Sequence, residues 1–261
     1  MQKVILTVGS FDPSGCSGVA ADIKTLMAFK CYAVSVLTAV TSQNTQKIDG
    51  IYPIPLEMIG QQFDALTDDF EISAVKVGLI PYPKAIELVA TLLLSFKLRN
   101  IVFDPIIKSS TGYVFLKEDS IELIKQLLIP ITDVITPNLY EASVLTGIEV
   151  NDSYTMKDAA TKLVEMGAKN VIVKGGHLEK RAIDCLYDGS KYNFFDSPKL
   201  NTNRTRGTGD TFASIIAIHL AKKENLFDAV NNAKKYLARA MSHQFQIGKG
   251  NEGPLNHNVP I

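Results

Sequence analysis

The sequence predicts an α/β protein, a three-layer α/β/α sandwich around a mostly parallel, doubly wound sheet. Three observations predict it. Short runs rich in Val and Ile alternate along the chain with segments of helical apolar periodicity. Those runs are continuously apolar, the pattern of strands covered on both faces. The polar, Gly-rich clusters GSFDPSGCSG, TSQNT, DPIIKSSTG, TPNLYE and KGGH each directly follow such a run. Ligands of open α/β sheets bind beyond the C-terminal strand ends, so the clusters predict one composite site.

In chain order, VILTVGS (4–10) is the first strand, and Val19, Ile23, Leu26 and Met27 mark the apolar stripe of the helix after it. YAVSVLTAV (32–40) is the second strand, ending in TSQNT. A helix over 56–69 leads to the strand AVKVGL (74–79), and a long helix over about 83–98 leads to NIVFDPI (100–106). DVITPN (133–138) and NVIVKGG (170–176) each follow a helical pattern. AIDCLYDGSKYNFF (182–195) reads as a hairpin turning at Asp188-Gly189-Ser190. Two helices close the chain, the last with Leu226, Val230, Ala233, Leu237 and Met241 in step. With no linker, repeat or low-complexity stretch, residues 1–261 are expected to form a single domain.

Composition narrows the function. The apolar fraction of 46% supports a substantial core, and 27 basic residues balance 27 acidic ones. A nucleic-acid binder carries a basic excess, and a membrane-surface protein a polybasic run; neither is present. Cys16, Cys31 and Cys185 are widely spaced, with no CxxC or Cys/His ligand pattern, so free thiols are expected. The longest apolar stretch, Leu88 to Phe96, is too short to span a bilayer, and the N-terminal run is too short for a signal peptide. The expectation is a soluble, cytoplasmic protein.

The motifs point to phosphate chemistry. GKGNEG (248–253) has the letters of a dinucleotide fingerprint but follows a helix and precedes Pro254, so it reads as a C-terminal turn. No G-x-x-x-x-G-K-[ST] loop occurs. Gly207-Thr208-Gly209-Asp210 sets a bare turn and an acid at a helix start. Backbone N–H groups there attract anions, so the carboxylate needs its own reason. Asp210 is either a helix cap or the base of a phosphoryl transfer, in which the N–H groups neutralise the phosphate while the acid receives the acceptor's hydroxyl proton.

Other residues carry two readings each. Asn138 and Glu141 share a helix face and suit either a Mg²⁺ hydration shell or a helix cap with a surface Glu. Lys174 is either a strand-end lysine or a charge beside phosphates. Gln43 suits a turn or a nitrogen heterocycle with an exocyclic amine. Asp12 is a candidate turn former and Asp22 a candidate first-turn helix acid. His177 follows KGG close to the expected site, whereas His219, His243 and His257 read as surface or core filler.

Taken in order, GSFDPSGCSGVAADIKT, TSQNT, KVGL, DPI, VITPNLYEA, VKGGH and GTGDTFAS resemble the ribokinase superfamily, and within it the hydroxymethylpyrimidine/phosphomethylpyrimidine kinases of thiamin biosynthesis. The similarity spans about residues 4 to 245. It implies a ribokinase-like fold without a large lid domain. It also implies ATP- and Mg²⁺-dependent phosphorylation of 4-amino-5-hydroxymethyl-2-methylpyrimidine and then of its monophosphate, often by a homodimer. By matching motif, it makes Asp210 the base and Gly207, Thr208 and Gly209 the anion hole. Gln43, Gly9, Asp12, Asp22 and Ile106 would serve the pyrimidine, Lys174, Gly176 and Asn138 the ATP, and Glu141, Asn138 and Asp104 the metal. Many pyrimidine kinases of this group carry Cys where Asp210 stands. SGCSG replaces a run of glycines, and Leu79 replaces a common Met. Asp at that position is also typical of pyridoxal kinases, the alternative reading. A catalytically silent binding protein is a further alternative, which the intact GTGD, Lys174 and N-x-x-E disfavour. A nicotinamide oxidoreductase would need a Gly-rich turn directly after the first strand, which SFDPSGCSG does not provide.

Overall fold

A computed structural model describes residues 2–109, 111–176, 181–243 and 247–261. The strands are β1 (Val4–Phe11), β2 (Tyr32–Gln43), β3 (Ile48–Pro53), β4 (Ile72–Val77), β5 (Ile101–Phe103), β6 (Val134–Ile135), β7 (Asn170–Val173), β8 (Arg181–Tyr187) and β9 (Tyr192–Pro198). The helices are α1 (Gly18–Ala28), α2 (Leu56–Asp69), α3 (Pro83–Ser95), α4 (Glu118–Leu123), α5 (Leu139–Thr146), α6 (Ser153–Glu165), α7 (Thr208–Ala221) and α8 (Leu226–Ser242). One sheet runs in the order β3-β2-β1-β4-β5-β6-β7-β8-β9. Its centre, from β2 to β7, is parallel, while β3, β8 and β9 pair antiparallel at the two margins.

Period-two alternation sorts strand side chains between two cores. Leu6, Val8, Val75, Val77 and Phe103 pack with Phe63 of α2, Val89 of α3, Ala142 of α5 and Leu163 of α6. Their neighbours Ile5, Ala74, Val102, Val134 and Ile172 pack with Leu26 of α1, Ile216 of α7 and Val230 of α8. The expected three-layer sandwich is therefore the architecture. Among the described residues, no helix is long and apolar enough to cross a membrane.

Four details depart from expectation. β3, with the sequence IDGIYP, was not anticipated, because Gly and Pro suppress a strand signal and are tolerated mainly at an edge. Its pairing extends β2 as far as Gln43, so that residue ends a strand instead of occupying a turn. The helix expected over 83–98 ends at Ser95, and Lys97 and Asn100 then take left-handed backbone angles (φ 52 and 57). Met27, assigned to a buried stripe, is 57% exposed; Ala21, Asp22 and Thr25 are buried instead.

Candidate active site

Strand order reverses at β1, whose two sheet neighbours are β2 and β4. The crevice beyond the C-terminal ends at such a switch point is where doubly wound sheets bind ligands. β1 ends at Phe11, and the loop after it is organised by Asp12. One Asp12 oxygen accepts from the Ser14 N–H (2.8 Å) and hydroxyl (2.7 Å), the other from the Cys16 N–H (3.2 Å), the Ser17 N–H (3.1 Å) and the Ser17 hydroxyl (3.0 Å). With both oxygens engaged, Asp12 forms the turn expected of it. Gly9 lies at a register shift in β1, and a Cβ there would sit 3.7 Å from the Leu79 nitrogen, in ordinary contact with the end of β4.

The GTGD segment closes onto this loop. Gly207 has φ 82, and a Cβ there would lie 2.2 Å from the Cys16 carbonyl oxygen, so both conformation and space demand glycine. Thr208 opens α7, and Asp210 is its third residue rather than its cap. The Asp210 carboxylate accepts instead from the Lys76 ammonium (2.8 Å) and from the N–H of Gly18, the first residue of α1 (3.0 Å). It thereby ties α1, β4 and α7 together. Although burial opposes it, the Lys76 charge, with the Gly18 hydrogen bond, holds the Asp210 carboxyl below the usual carboxylate range. A Cβ on Gly209 would meet Asp104 Oδ2 at 3.2 Å and Lys174 Nζ at 3.4 Å, so the start of α7 faces both groups.

Lys76 is the residue that the sequence reading missed. A lysine inside AVKVGL shows no local partner, because its carboxylates lie 54 residues before and 134 residues after it. The one available signal is a charge within an apolar strand run, which requires a buried counter-charge. Here its ammonium meets Asp22 Oδ2 at 3.0 Å and Asp210 Oδ1 at 2.8 Å. Asp22, expected at the substrate, has 0% exposure and is engaged by neighbouring side chains. It lies in the second turn of α1, not the first, and accepts from Thr7, from Lys76 and from the Ser214 hydroxyl (2.9 Å). Burial pushes its carboxyl up to about 6 despite the lysine.

A second charged group follows β5, β6 and β7. Lys174 donates to Asp104 at 2.6 Å, and Thr136 donates to the same Asp104 oxygen at 3.1 Å. Asn138 and Glu141 form a reciprocal capping box at α5: Asn138 Oδ1 accepts from the Glu141 N–H (2.9 Å), and Glu141 Oε2 from the Asn138 N–H (2.8 Å). Glu141 is buried rather than a surface residue, and burial pushes its carboxyl up to about 8. Two buried carboxylates facing one lysine make an all-oxygen donor set that suits a hard cation such as Mg²⁺. Asp104, Glu141 and Asn138 are the candidates to hold the ion, directly or through water, with one oxygen of Glu141 and that of Asn138 also engaged in the cap. Among the described residues no cluster of three His, Cys, Asp or Glu side chains is placed to enclose a metal.

Gln43, expected at the acceptor, donates its amide to the Ser17 hydroxyl at 3.1 Å. Ile106 lies beside Gly78, its Cδ1 3.8 Å from where a Cβ there would be. Gly176 is exposed beyond β7, and His177 lies outside the described residues. The C-terminal GKGNEG turn is packed, not loose: the Gly250 N–H donates to Thr45 Oγ1 (3.1 Å), and Arg206 donates to both the Asn44 carbonyl (2.6 Å) and the Gly253 carbonyl (3.3 Å). His257, expected as filler, contacts the Thr211 hydroxyl at 2.9 Å, one residue from Asp210. A separate surface groove of about 540 Å³, lined by Asp64, Ala65, Thr67, Asp68 and Phe96, involves none of these residues.

Comparison with known proteins agrees with this arrangement. The family model for phosphomethylpyrimidine kinase matches residues 12–256. The chain is 40% identical over 261 residues to the hydroxymethylpyrimidine/phosphomethylpyrimidine kinase of Haemophilus influenzae, covering 98% of this chain and 96% of that one. It is 37% identical over 254 residues to a thiamine biosynthesis bifunctional protein of Geobacter sulfurreducens, covering 97% of this chain and 52% of that one. The ADP complex of Bacillus subtilis pyridoxal kinase superposes with a TM-score of 0.89 at 31% identity, covering 98% of each chain. The class these findings define is a ribokinase-like phosphotransferase acting on a small molecule. Within that class, the chain belongs to the phosphomethylpyrimidine kinase family, whose place is thiamine biosynthesis.

Proposed function

We propose that the protein, as one domain over residues 1–261, transfers the γ-phosphoryl group of ATP to 4-amino-5-hydroxymethyl-2-methylpyrimidine and then to its monophosphate. The observation that carries this reading is an ionised carboxylate, Asp210, set at the switch point beside a glycine-opened helix start and Lys174. As the hydroxymethyl oxygen bonds to the γ-phosphorus, the bond from that phosphorus to the bridging oxygen breaks and ADP leaves. The hydroxyl proton passes to Asp210. In a loose transition state that proton becomes acidic only late, so a carboxylate held below its usual pKa still serves as its acceptor.

N–H groups at the start of α7 would neutralise the phosphate's charge. Thr208 N–H already donates to Thr205 O (3.2 Å), which leaves the task to those that follow it. Lys174 supplies a point charge near the phosphates. Mg²⁺, when bound near Asp104 and Glu141, would offset the charge on the phosphate oxygens. Gln43, held by Ser17, can present its amide to the ring nitrogens and the amine of the pyrimidine. A cytoplasmic homodimer is the accompanying expectation, checked by light scattering on the eluting protein.

One observation favours a second reading, phosphorylation of pyridoxal. The likeness to a pyridoxal kinase structure covers nearly the whole chain, and pyridoxal is also a flat nitrogen heterocycle with a hydroxymethyl group. The deciding experiment measures ATP consumption with Mg²⁺ and each acceptor in parallel, identifying products by mass. Turnover of both pyrimidine species is the expected result. Turnover of pyridoxal alone would replace the first reading with the second.

A further inference from the structure

Lys76 stands at the heart of the site, bound to two carboxylates and to no group of the proposed reaction other than Asp210. It lies in β4 at 1% exposure, with its ammonium between Asp22 Oδ2 (3.0 Å) and Asp210 Oδ1 (2.8 Å). The room for it is built in: a Cβ on Gly78 would lie 2.9 Å from Nζ. Asp22 is anchored in turn by Thr7 and Ser214, so the ammonium has a fixed partner on one side and Asp210 on the other. The remaining groups whose charge bears on this cluster are Asp104 after β5, Lys174 after β7 and His257 from the C-terminal segment, and the Gly18 N–H from α1 is bound to Asp210 directly.

We propose that Lys76 is a positioning residue of the transfer step: its ammonium keeps two facing buried carboxylates ionised at once and holds the Asp210 carboxylate in place for the acceptor. The inference rests on the reading of Asp210 as the base. Two carboxylates around one gap cannot both ionise without an intervening positive charge, so removing the ammonium sets Asp22 and Asp210 in competition for a proton. Asp22 then has a purpose that neither a helix acid nor a substrate contact describes. It anchors the ammonium from a position the acceptor does not reach.

The test compares wild type, Lys76→Met, Asp22→Asn, the double variant Asp22→Asn/Lys76→Met and Asp210→Asn, in pyrimidine turnover from pH 5 to 9 with thermal melts alongside. In Lys76→Met, kcat should fall roughly tenfold or more, and the acid limb of kcat/KM, which in wild type lies below pH 5, should rise into the measured range, with KM for ATP little changed. The double variant removes the competing carboxylate, so its acid limb should move part of the way back. A merely structural lysine would instead leave the limb in place and make the double variant worse than either single one. If Lys76→Met does not fold, Asp22→Asn against the double variant still isolates the lysine's effect on Asp210, and the double variant should have the higher acid limb. An unshifted limb in both comparisons overturns the inference while leaving the base in place, provided Asp210→Asn is inactive. Full turnover by Asp210→Asn would remove the base itself, a distinct result that takes this inference with it.

Discussion

On the proposed reading the chemistry turns on Asp210, and its neighbours define a discriminating experiment. An alcohol must lose a proton as it is phosphorylated, whereas a phosphate monoester near neutral pH is already mostly ionised, its second pKa being about 6. Asp210→Asn should therefore slow the first phosphorylation by roughly 10²–10⁴-fold and the second by clearly less. Single-turnover rates with each acceptor check this; equal losses would mean that Asp210 acts on the phosphate side instead. Gln43, at the end of β2 and held by the Ser17 hydroxyl (3.1 Å), is the group proposed for the acceptor ring. Gln43→Ala should raise KM for the pyrimidine while leaving KM for ATP near wild type. A matched rise in both would set Gln43 outside the acceptor pocket.

At the scale of elements, the C-terminal segment does what its sequence did not suggest. Residues 248–257 run from the loop after β2 to the start of α7, joined through Thr45, Arg206 and Thr211. A Cβ on Gly250 would lie 1.8 Å from the Thr45 carbonyl oxygen, so a side chain there must push the two loops apart. Overpacking of this kind costs about 1–3 kcal/mol. Gly250→Val should lower the melting temperature and raise KM for the acceptor roughly tenfold, since small misplacements of positioning groups are costly in rate. Substrate titrations with each ligand in turn check that ATP binding is spared. The QNT cluster and the GKGNEG turn were each visible alone, but their contact joins residues 205 apart.

For the whole molecule, the charge balance of 27 against 27 conceals a buried set of ionisable groups whose protonation is coupled to folding. Burial, reinforced by the charge of Lys24, holds the His257 imidazole down at about 4, against 6.5 for the free side chain. The folded chain thus disfavours a proton that the unfolded chain accepts. Stability from this source is fully present above pH 6.5 and is lost as pH falls from there towards 4, by up to about 3 kcal/mol. His219, also pushed down by burial, acts with the same sign. Denaturant unfolding at pH 7 and pH 5 should show the loss, and His257→Gln should flatten it in part. An unchanged slope in that variant would assign the acid sensitivity elsewhere.

What the sequence determined by itself is whatever depends on neighbours a few positions apart. Apolar runs and helical periodicity defined the three layers; Gly-rich and polar clusters after strands marked the catalytic edge; GTGD, N-x-x-E and VKGG carried the family resemblance. The tertiary structure decided how those pieces answer one another. It turned Asp12 into the organiser of a loop, buried Asp22 against Lys76, and gave Asn138 and Glu141 to a shared cap. It also seated Lys76 between acids that local reading had no means of pairing. The physical reason is range. Periodicity and capping are encoded within one or two turns of chain, whereas the partner of a buried charge is chosen by strand order and helix docking, which bring distant residues to a single point.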